Sequence, residues 1–215
     1  HVSISNGRGS VSNIQDLDNN KALGARVYYE TRELGDLTVG LSGYMGRSTD
    51  RIFSIDVGSP PARVSTEPTT QFDEQSLGVD LRWSFEGFYL AAEYIQNDVA
   101  FTERGRPTTA EFWPFVGTDL QRQPDFRRWG AYGLVGYRIE SIGLMPYALI
   151  ERVDYGRSNP FEGIENWNFG LNWQITPYVV AKFELNRVEL FGGATAELIA
   201  GEDFWGINSQ IAWSF

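Results

Sequence analysis

Two hundred and fifteen residues at 24.3 kDa is the size of one domain or one large all-β unit, with little room for two. Eighteen basic against twenty-eight acidic residues give a net charge of −10, which argues against a nucleic-acid partner because phosphate binding needs clustered positive charge. Cysteine is absent, excluding disulfides and thiolate metal sites, and the single histidine, His1, removes almost every His-dependent hydrolase.

Mean hydropathy is −0.30, and no run of about 18 apolar residues occurs, so no transmembrane helix is expected. Aromatics nevertheless reach 14%. A polar average with so many aromatic rings is the composition of a β-barrel membrane protein.

The chain opens at His1 without an initiating Met, a basic stretch or an apolar leader, and reads as a processed or truncated product. Residues 1–6 give a short first strand. Ala22–Arg32 then places Leu23, Ala25, Val27 and Tyr29 on one face and Arg26, Tyr28, Glu30 and Arg32 on the other. Asp36–Gly46 sets Leu37, Val39, Leu41 and Met45 opposite Thr38, Ser42 and Tyr44. Gln75–Phe85 sets Leu77, Val79, Leu81, Trp83 and Phe85 against Ser76, Gly78, Asp80, Arg82 and Ser84. Further strands are expected over Gly87–Gln96, Arg128–Ile139, Leu144–Asp154 and Pro177–Arg187. The clearest alternation is Glu165–Ile175, with Trp167, Phe169, Leu171, Trp173 and Ile175 against Asn166, Asn168, Gly170, Asn172 and Gln174. The chain closes on Trp205–Phe215, whose odd positions are bulky and apolar apart from Ser209. This period of two describes strands with one greasy and one wet face, about ten in number and mostly ten or eleven residues long. That length crosses a bilayer at a steep tilt.

Short connectors (33–35, 86–87, 140–143, 176–177) alternate with long ones (7–21, 47–73, 97–127, 155–163, 188–203). The segregation fits the short periplasmic turns and long outer loops of a transmembrane antiparallel up-and-down β-barrel, here one domain over 1–215. Aromatic residues near strand ends fit its interfacial girdles.

Several segments resemble the phosphate-selective-type porins of Gram-negative outer membranes: Ser5-Asn6-Gly7-Arg8-Gly9, Asp18 to Arg26, Asp80-Leu81-Arg82-Trp83, Gly87 to Ile95 and Gly170-Leu171-Asn172-Trp173. The ending, with Trp213 and a final Phe215, resembles the C-terminal assembly signal of such barrels. The resemblance implies a larger, roughly sixteen-stranded trimeric channel in the bacterial cell outer membrane, of which this chain supplies the last ten strands. It also implies contact with membrane lipid, lipopolysaccharide and the barrel assembly machinery. A complete ten-stranded barrel with a clipped first strand is the other reading.

The chain departs from that family in having only two lysines, Lys21 and Lys182. Candidate pore-lining positions carry both signs: Arg26, Arg82, Arg138 and Lys182 against Glu30, Asp80, Glu93 and Glu184, joined by the amides Asn168, Asn172, Asn208 and Gln210. A mixed lining gives little field to select anions, so the expected activity is passive diffusion of small hydrophilic solutes or ions. Lateral pairing that stiffens the wall is the competing account of these charges. Arg104, Arg106, Arg122 and Arg127 lie in segment 97–127 beside Phe112-Trp113-Pro114-Phe115. That segment reads either as a constriction folded into the pore mouth or as an outer cap.

No enzyme, cofactor or metal is expected. Barrel hydrolases need a positioned base, and His1 at a chain end cannot be one. Asp16 to Asn20 has the oxygen density of a calcium loop but lacks its sixth-position Gly and twelfth-position Glu. The rival class is a non-conducting outer-membrane barrel whose loops act as a structural or adhesive scaffold.

Overall fold

The computed structural model describes residues 1–5, 20–56, 63–103, 105–106, 124–156, 162–192 and 204–213. Its strands are β1 (Val2–Ser5), β2 (Ala22–Thr31), β3 (Asp36–Asp56), β4 (Arg63–Phe85), β5 (Phe88–Phe101), β6 (Phe126–Tyr137), β7 (Leu144–Asp154), β8 (Gly163–Thr176), β9 (Val179–Phe191) and β10 (Phe204–Trp213). They form one ten-stranded sheet in strict sequence order, β1 to β10. The registers of β1 on β2 and of β6 through β10 are antiparallel. The expected all-β, up-and-down architecture of about ten strands is therefore what the chain adopts.

Tight turns explain the order. At the β4–β5 hairpin both Glu86 (φ 48°) and Gly87 (φ 87°) occupy the left-handed region, the requirement of a two-residue type I′ turn. A single 3-10 turn, Glu140–Ile142, joins β6 to β7 and ends on Gly143 at φ 65°.

The expected connectors need one correction. Residues 47–56 and 63–73 belong to β3 and β4, which run 21 and 23 residues instead of eleven each. β5 likewise continues to Phe101 and β9 to Phe191. Apolar alternation stops near residue 46, whereas the backbone ladder continues through Ser, Thr and Arg positions that favour neither face.

The chain divides into two compact units. In the first (1–25, 43–76, 97–127), Phe101 is buried, with Phe72 edge-on at 5.9 Å and Phe126 at 6.0 Å. Arg106 lies over the Phe101 ring and donates to Asp125 Oδ1 at 2.8 Å, while Asp125 accepts the Phe101 N–H at 2.9 Å. Glu74, 2% exposed, accepts from Asn97 Nδ2 at 2.8 Å, and the same nitrogen donates to Ser76 Oγ. Arg47 grips Asp73 through both carboxylate oxygens, at 2.7 and 2.9 Å.

In the second unit (26–42, 77–96, 128–215), Tyr147 of β7 lies across β8 at Gly170 and donates its hydroxyl to Glu184 Oε1 of β9 at 2.6 Å. A Cβ at Gly170 would overlap the Tyr147 ring, so only glycine permits this three-strand strut.

Two outcomes follow from these contacts. Gly170→Val should destabilise the fold by about 1–3 kcal/mol through overpacking. Adding Tyr147→Ala should recover part of that loss, as measured by denaturant titration of the four proteins of the cycle. In the first unit, hydrogen bonding from Arg47 holds the Asp73 carboxyl below the usual carboxylate range. The pair therefore stabilises above that range, and its contribution is lost as pH falls through it. With both side chains nearly half exposed, the contribution is at most about 1 kcal/mol. Hydrogen exchange of the β3–β4 ladder should separate Asp73→Asn from the parent at neutral pH and bring the two together in strong acid.

Candidate functional site

The registers divide the second unit's side chains into two faces. On one, Trp129 and Val135 of β6 share the face of Ala148 and Ile150 of β7, Trp167, Phe169, Leu171 and Trp173 of β8, Phe183 and Leu185 of β9, and Trp205, Ile207, Ile211 and Trp213 of β10. Exposure on this face is high: Ile207 83%, Trp213 67%, Phe169 53%. Leu77 and Val79 of β4 and Val27 of β2 are exposed as well, as the sequence alternation expects. The buried hydrophobic residues among those described are only Ala22, Ala91, Val99, Phe101, Tyr147 and Ala181. No second layer covers the apolar face among the described residues. Its burial is left undone, against the usual order of a sheet protein.

Tryptophans and charges mark the ends of this face. Trp167 and Trp205 flank Arg187 in one cross-strand row, and Trp129 stacks near Tyr94 at 6.0 Å. Just beyond, Arg152 lies over Phe191 at 4.4 Å and pairs with Glu165 at 3.2 Å, whose other oxygen accepts from Trp167 Nε1. Glu165 sits directly opposite Glu189, and Arg187 pairs with Glu189 at 3.4 Å, so each like-charged neighbour has its own arginine. At the other end stand Trp173 and Trp213, with the Phe88–Tyr137 and Trp83–Phe85 ring pairs.

The opposite face carries the candidate lining residues. Arg26 reaches across Gly40 of β3 to Asp80 of β4, donating at 2.8 and 3.0 Å. Glycine at position 40 is what leaves room for that carboxylate. Arg82 and Glu93 lie with Asp80 within electrostatic reach of Tyr132, which stands opposite Glu151. Lys182 pairs with Glu184 at 2.9 Å. Asn168 is buried opposite Asn186, Asn172 faces Lys182, and Asn208 and Gln210 face Glu184 and Lys182. Arg138 and Asn172 line a recess of about 250 Å³ with Met145, Gln174 and Val180. Lys182, Glu184, Asn208 and Gln210 line another of about 300 Å³. Glu30 is exposed on β2.

Of the four arginines in segment 97–127, Arg104 and Arg122 lie outside the described residues. Arg106 is engaged with Asp125 and Phe101 in the first unit, and Arg127 donates to Asp98 at 2.5 Å. Trp213 sits on the apolar face, and Phe215 lies outside the described residues. Among the described residues no group of three or more His, Asp or Glu side chains could hold a metal ion.

Sequence reading passed over Tyr132, Tyr147, Glu151 and Asn186, and placed Asn166 on the wet face without naming it as a lining residue. Asn186 has the parity of Lys182 and Glu184 and could have been found by that signal. Tyr147 could not: β7 is apolar at both parities through Leu149, so its alternation names no wet face.

No family model and no curated protein matches this chain. Among solved structures, a NanC porin in a rhombohedral crystal form is similar at a TM-score of 0.44 and 9% identity, over 100% of this chain and 97% of that one.

Proposed function

We propose that the chain forms the wall of an outer-membrane β-barrel channel, its apolar face against hydrocarbon and its polar face against water, passing small hydrophilic solutes passively. The observation that carries this reading is the exposed apolar face, which no layer covers among the described residues and which is bounded by tryptophan at both ends. From Trp205 to Trp213 is eight residues, about 27 Å along a strand. At a tilt of about 40° that is roughly 20 Å of height, near the ~25 Å apolar band of such barrels. In hydrocarbon an unpaired backbone group costs several kcal/mol, and a continuous antiparallel ladder leaves none between its strands.

The charges of the polar face argue for weak ion selectivity. Arg26 with Asp80 and Lys182 with Glu184 are neutralised pairs, so no single-signed ring develops. Phosphate selectivity is therefore no part of this proposal. Trimer formation, lipopolysaccharide contact and recognition by the assembly machinery belong to the same reading, and rest on the sequence resemblance.

Planar-bilayer recording of the purified protein tests the function: stepwise conductance with little cation or anion preference is expected. A sealed membrane containing folded protein would instead favour a non-conducting scaffold. The face assignment has its own test. Leu171→Arg should lower folding stability in lipid vesicles by about 2–4 kcal/mol, the cost of arginine near the bilayer midplane. Asn172→Arg, one residue on and facing the other way, should cost far less. Equal losses would overturn the assignment.

A further inference from the structure

The two halves of the polar face differ in chemistry. Strands β2 to β5 carry the ionic residues, whereas β8 to β10 carry amides: Asn168, Asn172 and Gln174 on β8, Asn186 on β9, Asn208 and Gln210 on β10. Their only charged neighbours on this face of β8–β10 are Lys182 and Glu184, which close on each other at 2.9 Å, the Glu184 oxygen also accepting from Tyr147. From this we infer that the β8–β10 patch is a binding surface for uncharged polyhydroxylated solutes, of the size and chemistry of a hexose, on the path to be crossed. The inference rests on the channel reading above.

The geometry supplies the reasons. Asn168 stands directly opposite Asn186, and Asn172, Lys182 and Gln210 form one cross-strand row. Neighbours in such an array are about 5 Å apart across strands and about 7 Å apart along one. An amide side chain offers both a donor and an acceptor, so it matches a hydroxyl, which also offers both. Accessible amides are present: Gln174, Asn208 and Gln210 are exposed and Asn172 is half-buried. A hydroxylated solute can replace water on these accessible amides at little net cost. On β8–β10 themselves a charged solute would leave its hydration shell for strands whose one inner cation and one inner anion already neutralise each other. The recess of about 250 Å³ lined by Asn172 and Gln174 with Arg138, and that of about 300 Å³ lined by Asn208 and Gln210 with the Lys182–Glu184 pair, give the solute room at this wall.

Efflux from proteoliposomes at pH 6 tests the inference with three near-isosteric probes: glucose, glucuronate and glucosamine, in symmetric salt. Glucose should leave at least about threefold faster than either charged analogue, a ratio within the reach of a single net hydrogen bond. Replacing Asn172 and Asn208 together by Asp should slow glucuronate and speed glucosamine, while their replacement by Leu should slow glucose about threefold or more. Both variants are first checked for native circular dichroism in detergent. Charged probes that match or outrun glucose, or variants that leave all three rates unchanged, would overturn the inference while salt conductance keeps the channel reading intact. Absence of both efflux and conductance in folded protein would overturn the channel reading and this inference with it.

Discussion

The pairing of each strand with its sequence neighbour is the constraint from which the rest follows. Once consecutive strands form one antiparallel ladder, side chains must alternate between two faces, and the face of any residue is fixed by its parity. A one-residue slip between β8 and β9 would carry Leu171 and Phe169 to the side of Lys182 and Glu184. The register excludes that slip because both strands place bulky apolar side chains on the same face in two successive pairs, Phe169–Leu185 and Leu171–Phe183. Hydrogen bonding thus sets the frame, and the sorting of side chains by solvent preference locks it.

Small residues let the polar face do its packing across strands instead of between layers. Gly40 admits the Arg26–Asp80 pair over the middle strand, and Gly170 admits the Tyr147 ring on its way to Glu184. Each contact joins strands two apart and so resists shear of the sheet, which adjacent-strand hydrogen bonds alone oppose only locally. The same contacts neutralise charge. On the proposed channel reading, wall stiffening and weak ion selectivity would be two consequences of one arrangement, and the sequence readings that set lateral pairing against pore lining would describe the same residues.

Most of the frame was legible from residue order because the apolar band itself generates the period-two signal. Trp167 to Ile175 and Trp205 to Trp213 announce their faces, and the limits of β7 coincide with those read from sequence. What alternation reports, however, is the band and not the strand. β3 and β4 continue for ten residues or more past the point where the apolar alternation stops, through segments such as Ser48-Thr49-Asp50-Arg51 in which both parities are polar. No periodicity marks a ladder whose residues are polar at both parities. Partners were hidden for a related reason: nothing in the local sequence around Arg26 shows that its carboxylate lies 54 residues away on β4, across a glycine of β3.

The distribution of charge follows from the same two solvents. Within the apolar band no strand from β6 to β10 places an ionised side chain outward; ions return only at its edge, as the Arg152–Glu165 and Arg187–Glu189 pairs among tryptophans. There an arginine can lay its stem along apolar surface and its guanidinium over Phe191 or Trp129 while the charge stays near water. On the opposite face ions occur in mid-band, and two pairs of them, Arg26–Asp80 and Lys182–Glu184, close at hydrogen-bonding distance. By sequence, the net charge of −10 falls largely in the connectors and strand extensions and not in the alternating segments. A soluble sandwich would place its charges the opposite way, on the face that here carries Phe169, Leu171 and Ile207.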